Sequence, residues 1–358
     1  MTNIADMVIG QDVFGRKMLK HYDGKSSRVT IPSDIEVIGG GAFQNNEYLE
    51  EVFFEGKTKE IARNAFSKCI NLRVVEFAEG LVNIGKMAFY GCEKLDFIEL
   101  PQGVKRIGSE AFCKCMALED IIIPDSLIEC YGAFEDMEKV LSSNAAYAKI
   151  NDFYINKTEK ALLYSIKSNG ARNVSIPEYI QSIGSYAFYD CKTLESIRLP
   201  ATVYSIGESA FEQCSNLKEI VIPDSVYHIG AAAFRACSSL KTVVMPKELE
   251  SIEDYLFGVC SSLDNISIPD KVKKIGDDAF FGCSSLTSID IPASVKIIDS
   301  TAFNSCVSLK HIIFHQGLKE IGFMAFASCA LEEVILPKDC VTQEHAFDDY
   351  CAINFMTA

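Results

Sequence analysis

Hydrophobic positions along this chain recur with a fixed period of 23 residues. A representative stretch, IGDDAFFGCSSLTSIDIPASVKI, runs from Ile275 to Ile297, and its neighbours on both sides follow the same pattern. The shared form is I-G-x-x-A-F-x-x-C-x-x-L-x-x-I-x-I-P-x-x-V-x-x. The isoleucine that opens each copy occurs at Ile38, Ile61, Ile84, Ile107, Ile183, Ile206, Ile229, Ile252, Ile275, Ile298 and Ile321. Such a period is typical of architectures in which each unit packs on its neighbours.

Two hydrophobic periodicities within each copy predict two kinds of element. In A-F-x-x-C-x-x-L the apolar positions fall at i, i+1, i+4 and i+7, which favours a short helix or helical turn. In I-x-I the apolar positions alternate, which predicts a short strand with one buried face. A proline such as Pro200 ends the strand because it has no N–H to donate. The V-x-x-I-G tail then returns the chain to the next copy, and stacked copies form a continuous core.

The repeated motif resembles that of the BspA-like leucine-rich repeat family. The resemblance covers nearly the whole chain, because the motif recurs throughout it. It implies an α/β repeat solenoid with a parallel β-sheet on the concave side and short helices or turns on the other side. It also implies a surface or secreted protein of a microbe that takes part in adhesion and binds host proteins.

The repeat pattern is interrupted once and has divergent segments at both ends. The interruption contains DFYIN and ALLYSI, which predict two strands around the polar turn KTEK, and a similar pattern precedes the first repeat. The predicted segments are an N-terminal hairpin or cap at 1–37, a first repeat array at 38–143, an inserted β-hairpin at 144–175, a second array at 176–337 and a C-terminal cap at 338–358. The insert either bends the solenoid, or adds a binding surface, or is a loop that closes the first array.

The chain is acidic, with 34 Lys and Arg against 49 Asp and Glu and a net charge of −15. This balance disfavours nucleic acid and anionic membrane surfaces as partners, because both require a basic face. No stretch reaches the ~18 consecutive apolar residues of a membrane span. The first residues show neither the basic nor the apolar region of a secretory signal. A cytoplasmic location is therefore the alternative to the cell surface.

Ten of the fourteen cysteines share one position of the repeat, three residues after its phenylalanine. They are Cys69, Cys92, Cys115, Cys191, Cys214, Cys237, Cys260, Cys283, Cys306 and Cys329. Because cysteine is often fully buried, we predict a structural ladder of reduced thiols. Asn46 and Met137 occupy the position in two copies, and neither could replace a bridging cysteine. Disulfides between neighbouring copies remain an alternative, since a strand spacing of ~4.8 Å is compatible with them. The state of Cys340 and Cys351 stays open.

The sequence contains none of the common catalytic or cofactor motifs. Zinc-protease, phosphate-loop, dinucleotide-binding and nucleophile-elbow patterns are all missing from it. We therefore predict no catalysis, no cofactor and no metal site. An enzyme built on the insert would require its polar residues to cluster, and Tyr147, Lys149, Asp152, Tyr154 and Lys157 show no recognisable arrangement.

The strand positions that point away from the core are the residue before the first isoleucine and the x of I-x-I. Apolar and aromatic residues at these positions, rimmed by charge, are typical of protein interfaces. The candidate binding residues are Phe53, Val74, Glu76, Phe97, Glu99, Ile122, Arg198, Val221 and Val244. Two other interpretations are that the inserted hairpin covers some of them and that strand propensity alone selects them.

The sequence thus predicts a non-catalytic solenoid that binds a protein, such as a host extracellular protein, or a surface glycan. A long, shallow repeat surface suits a macromolecule better than an enclosed small ligand. By resemblance, the favoured role is adhesion at a microbial cell surface. The alternative is an intracellular interaction scaffold of the same fold.

Overall fold

The computed structural model describes residues 6–130, 132–150, 153–165 and 172–356. The chain divides into two compact units, Met1–Glu159 and Lys160–Ala358. Each unit is a parallel β-solenoid, and together they contain about 14 turns. The segment boundaries expected from the sequence stay predictions.

The first unit is built from short strands and one helix. Its strands are β1 (Met7–Gln11), β2 (Lys17–Tyr22), β3 (Arg28–Ile31), β4 (Val37–Ile38), β5 (Glu51–Phe54), β6 (Glu60–Ile61), β7 (Val74–Glu76), β8 (Asn83–Ile84), β9 (Phe97–Glu99), β10 (Arg106–Ile107), β11 (Asp120–Ile122), β12 (Tyr147–Ile150) and β13 (Phe153–Asn156). Helix α1 spans Met137–Ser142. Among the described residues, no helix is long and apolar enough to span a membrane.

The second unit contains strands only, as far as the structure describes it. They are β14 (Ala161–Ser165), β15 (Asn173–Ser175), β16 (Ser182–Ile183), β17 (Ser196–Arg198), β18 (Ser205–Ile206), β19 (Glu219–Val221), β20 (His228–Ile229), β21 (Thr242–Val244), β22 (Ser251–Ile252), β23 (Lys274–Ile275), β24 (Ser288–Ile291), β25 (Ile297–Ile298), β26 (His311–Phe314), β27 (Glu320–Ile321), β28 (Glu333–Leu336), β29 (Val341–Thr342) and β30 (Ala352–Phe355).

Each repeat contributes two strands, and these stack into two parallel ladders. The I-x-I segments form what we call the long-strand ladder, ordered β3-β5-β7 and β9-β11 in the first unit. In the second unit it comprises β15-β17-β19-β21, β24-β26 and β28-β30. The V-x-x-I-G tails, expected only to return the chain, form a second ladder of two-residue strands, such as β4-β6-β8-β10. Successive copies pair in register, with Ile220 opposite Val243 for example.

Of the two structures expected for A-F-x-x-C-x-x-L, a short helix or a turn, the helix is wrong, because this segment is a series of turns. Two residues per copy adopt left-handed backbone conformations, for example Ser209 at φ 51° and Gln213 at φ 63°. Left-handed residues interrupt a right-handed helix. The amide of Phe211 instead donates to the carbonyl of Ala233 in the next copy, at 2.8 Å. These hydrogen bonds between repeats pair the backbone N–H and C=O groups that a helix would have paired within a single segment.

The core of each unit is a column of stacked phenylalanine rings. Phe89 and Phe112 lie 5.2 Å apart between ring centroids with planes 2° apart, and Phe211 and Phe234 lie 5.3 Å apart at 1°. These side chains are almost completely buried, together with the isoleucines and leucines of the repeat. Burial of aromatic area supplies a large share of the stabilisation of such a core.

Segments outside the regular repeats add strands to the same ladders. In the N-terminal segment β1 and β2 pair antiparallel, and β2 pairs parallel with β4. In the insert, DFYIN contains β13 and ALLYSI contains β14, while β12 was not anticipated and pairs antiparallel with β13. At the C-terminal end β30 pairs parallel with β28, and Phe347 stacks on Phe326 at 5.1 Å. The divergent last copy therefore adds a further rung.

Candidate protein-binding faces

The outward residues of the long-strand ladder form one exposed face in each unit. Strand β19 shows the alternation: Ile220 is buried, whereas Glu219 and Val221 on either side point to solvent. This alternation follows from the two-residue period of a strand with one face on the core. Parallel, in-register pairing then places equivalent outward residues of successive copies side by side.

In the first unit, apolar and acidic residues are register partners on this face. Phe53 lies opposite Glu76, and Val74 lies opposite Glu51. In the next strand pair, Phe97 lies opposite Asp120 and Ile122 lies opposite Glu99. We call these eight residues the acidic–apolar face. It presents apolar side chains, each beside a carboxylate, to a partner.

The apolar residues of the acidic–apolar face differ in exposure. Phe97 and Ile122 are 45 % and 49 % exposed, while Phe53 and Val74 are half-buried. The guanidinium of Arg28 lies 4.2 Å from the centroid of the Phe53 ring, which is a cation–π contact. Part of the expected patch is therefore covered by the strand before it, and Phe97 and Ile122 are its accessible part.

In the second unit, the outward face carries two separate apolar pairs. Val221 lies opposite Val244, and Arg198, which pairs with Glu178 at 2.8 Å, lies next to them in register. The second pair is Ile313 and Ile335, which are about as exposed as the two valines. These isoleucines were not among the candidate binding residues, although they occupy the same position of the repeat as Val221 and Val244.

Comparison with known proteins places the repeats in a family. The sequence matches the family described as BspA type leucine rich repeat region in six copies, over residues 14–140, 163–285 and 229–354. The chain belongs to this family. No protein with a curated description matches it significantly.

The chain is similar to several solved structures of leucine-rich repeat proteins. One from Bacteroides ovatus is 26 % identical, covers 99 % of this chain and 100 % of its own, and gives a TM-score of 0.47. A leucine rich cell surface protein from Faecalibacterium prausnitzii is 22 % identical, with coverage of 87 % and 94 % and a TM-score of 0.40. The pneumococcal vaccine antigen PcpA is 19 % identical, with coverage of 98 % and 82 % and a TM-score of 0.34.

The regularly spaced cysteines of this leucine-rich repeat protein lie in its core. Nine of the ten are buried and Cys191 is half-buried, and all fourteen cysteines are free thiols. In those nine, the thiol donates to the carbonyl of the phenylalanine in the preceding copy at 3.0–3.2 Å. Burial raises the pKa of Cys69, Cys115 and Cys283 to about 12. These thiols are therefore protonated at neutral pH and poor nucleophiles.

One group of carboxylates lies close enough together to be considered as metal ligands. Oxygens of Asp254, Asp277 and Asp299 are all within 4.8 Å of one another. The amide of Asp277 donates to Asp254 at 2.9 Å, and the ammonium of Lys274 lies 2.6 Å from Asp299. Burial, followed by the charges of Asp299 and Asp254, raises the pKa of Asp277. The lysine already offsets part of the negative charge, so the cluster has a structural explanation.

Two of the polar residues considered in the insert, Tyr147 and Tyr154, are engaged in packing. Tyr147 is buried and its hydroxyl donates to the carbonyl of Pro124. Tyr154 is also buried, and the ammonium of Lys149 lies 5.8 Å from its ring centroid. Lys157 is exposed, and Asp152 lies outside the described residues. In this leucine-rich repeat protein the two tyrosines of the insert thus pack within the fold.

Proposed function

We propose that this leucine-rich repeat protein is a non-catalytic binding protein whose partners are proteins docked on the long-strand faces. The observation that carries the proposal is the register of the acidic–apolar face, where Phe97 lies beside Asp120 and Ile122 beside Glu99. Exposed apolar side chains supply binding energy through desolvation, and neighbouring charges select the partner. A partner segment that alternates apolar and basic side chains fits this pattern.

The fold family supports a binding role, because repeat solenoids offer extended surfaces rather than enclosed pockets. The thiols of the cysteine column donate to carbonyls of the core, and Asp299 in the Asp254 cluster pairs with Lys274. The proposal therefore assigns no reaction, cofactor or metal to the chain.

The test is a selection of peptide binders from a displayed random library on the purified chain. Phe97→Ser and Val221→Ser remove exposed apolar side chains from the two faces. Phe281→Ser and Val307→Ser are matched controls, because these residues are 36 % and 57 % exposed but belong to turn segments. We expect each face variant to weaken binders of its own unit about tenfold, and the controls to leave them unchanged. Binders insensitive to both face variants would contradict the proposal.

For the biological setting we propose adhesion at a microbial cell surface, which rests on the resemblance of the repeats to their family. Surface labelling of intact cells with a membrane-impermeant reagent tests it, since only an exported chain is labelled.

An intracellular interaction scaffold is the second candidate. The fourteen free cysteines favour it, since thiols persist in reducing compartments. A thiol count on freshly purified native protein distinguishes the two: disulfides among the ladder cysteines would contradict the scaffold.

A further inference from the structure

One repeat near the C-terminal end of the second unit has a shortened turn. A single residue separates Cys329 from Leu331, whereas two residues separate cysteine from leucine in the other copies, as between Cys306 and Leu309. In those copies the leucine amide donates to the cysteine carbonyl, at 2.9 Å for Leu309. No such hydrogen bond joins the amide of Leu331 to the carbonyl of Cys329. The shortened turn immediately precedes β28.

The long-strand ladder is open next to this turn. Strand β26 pairs with β24, and β28 pairs with β30, but β26 and β28 are not hydrogen-bonded to each other. The inward residue of β26, Ile312, is partly exposed, while Ile289 of β24 and Val334 of β28 are buried. The ladder is also interrupted at Ile266, in a copy whose turn has the usual length. Ile266 nevertheless stays buried. The exposure of Ile312 thus coincides with an interruption that lies beside the shortened turn.

A depression of about 800 Å³ lies over this opening. Its floor is formed by Ile312, Phe314, Val334 and Met356, and the exposed side chains of Ile313 and Ile335 flank it. We call this depression, defined by these six residues, the rung gap. Phe314 and Val334 of its floor belong to the hydrophobic core, so an apolar group that enters leaves water for a core-like environment.

Polar and charged side chains border the rung gap on both sides. Glu332 and Glu333 are exposed at the β28 side, and Lys310 and His311 at the β26 side. The amide of Asn354 donates to Glu333 at 2.7 Å and orients that carboxylate. The chain as a whole has a net charge of −15, which attracts basic partners from a distance.

We propose that the rung gap receives one anchor residue of a partner protein, an aromatic side chain with an arginine or lysine beside it. The aromatic ring covers Ile312 and Val334, and the basic group meets Glu332 and Glu333. This inference deepens the proposed function and rests on it, because it assumes a protein partner. Anchors of this kind, in a pocket rimmed by polar groups, carry most of the energy in many interfaces.

The test uses the full chain with labelled isoleucine methyl groups and a capped tripeptide, arginyl-phenylalanyl-arginine. We expect saturable shifts of the Ile312 and Ile313 methyl signals in NMR spectra. Replacing the central phenylalanine with serine should abolish the shifts, and replacing both arginines with glutamates should weaken binding roughly fivefold. Absence of saturable shifts at these two residues, or equal binding of the serine peptide, would overturn the proposal.

Two variants separate the roles of shape and charge. Insertion of one serine between Cys329 and Ala330 restores the usual turn length, and we expect it to close the rung gap and abolish tripeptide binding. The double variant Glu332→Lys/Glu333→Lys changes exposed residues only, so its fold is preserved. It should bind the glutamate peptide more tightly than the arginine peptide. An unchanged preference in the double variant would overturn the assigned role of the carboxylates, whether or not the insertion variant folds.

The outcomes also distinguish this site from the wider binding function. If the chain binds library peptides through Phe97 or Val221 but does not bind the tripeptide, the proposed function stands and the rung gap is not a binding site. Tripeptide binding without any dependence of library peptides on the two faces supports the rung gap and overturns the wider proposal. Binding of neither overturns both.

Discussion

The thiol of Cys237 lies 3.1 Å from the carbonyl oxygen of Phe211, which belongs to the preceding repeat. The same donor and acceptor recur at successive repeats, as for Cys214 with Phe188 and Cys260 with Phe234. Each thiol therefore fills space in the core and gives a buried carbonyl a second donor, since the amide three residues after the phenylalanine is the first, as for Cys214 with Phe211. A hydrophobic residue of similar size could fill the space but could not donate the hydrogen bond.

Replacing Cys237 with alanine should destabilise the second unit. The substitution removes a buried sulfur atom and one of the two donors to the carbonyl of Phe211, which keeps the amide of Cys214 at 3.1 Å; together the losses cost about 1–3 kcal/mol. The midpoint of urea unfolding measures the loss. Cys340→Ala is the control, because Cys340 is only half-buried and should change the free energy of unfolding by less than about 0.5 kcal/mol. Equal effects at the two positions would contradict the assigned role of the thiol ladder.

Stability should fall in alkaline solution as the buried thiols ionise. Burial raises the pKa of Cys283 from its ordinary value of 9.0 to about 12. The folded state thus holds the proton more tightly than the unfolded chain, so the contribution is complete below pH 9 and is lost as pH rises towards 12. We expect the free energy of unfolding to decline across this window.

The variant Cys283→Ala isolates this effect from the ionisation of lysines and tyrosines. It should lower the free energy of unfolding at neutral pH and make its decline between pH 9 and 12 less steep than in the native chain. Urea unfolding at several pH values provides the comparison. Parallel declines in the two proteins would show that Cys283 does not contribute.

The alternation of I-x-I was sufficient to predict the long-strand ladder and its outward residues. Ile220 is buried between exposed Glu219 and Val221 because a two-residue period leaves no other arrangement with one buried face. The two-residue strands, such as β18, could not be predicted, since two residues show no alternation. The choice between a short helix and a turn could not be made, because apolar spacing of i, i+1, i+4 and i+7 also suits a turn with two left-handed residues. Neither Ser209 nor Gln213 is a glycine that would have signalled those conformations.

The candidate face could be predicted in outline but not in its accessibility. Val221 and Val244 lie where the repeat position places them, while Phe53 lies under a guanidinium from β3. Arg28 is the register partner of Glu51 and so occupies the same outward column, but it precedes the first full repeat, and the candidate residues began at Phe53. The single residue between Cys329 and Leu331 is visible in the sequence. Its consequence depends on whether the neighbouring strands adjust, and only the ladder geometry shows that they separate.

Truncation of one ring in the phenylalanine column should be severely destabilising. The Phe234 ring lies 5.3 Å from that of Phe211 and 5.6 Å from that of Phe257. Phe234→Ala removes both contacts and leaves a cavity, at a cost of about 3–5 kcal/mol. Because each repeat contacts mainly its neighbours, amide exchange should accelerate first in the adjacent copies. Phe281→Ala, at an exposed ring, should cost less than about 1 kcal/mol, and comparable losses in both would contradict a special role for the column.

A glycine in the turn segment should be favoured for its backbone conformation alone, although other copies hold an L-residue such as Gln213 at the equivalent left-handed position. Gly282 has φ 68°, and a Cβ added there would meet no atom closer than 3.9 Å, so sterics within the fold do not exclude a side chain. Gly282→Ala should nevertheless cost about 1 kcal/mol, because the left-handed conformation is unfavourable for alanine.

Gly80 provides the matched control, since its surroundings are also open and its φ is not positive. Gly80→Ala should stabilise the chain by about 0.4–1 kcal/mol, because alanine restricts the unfolded state. Thermal or urea unfolding of the two variants should therefore shift in opposite directions. If both variants shifted in the same direction, the left-handed conformation of Gly282 would not determine the change in stability. The turn segment would then accommodate an L-residue without strain.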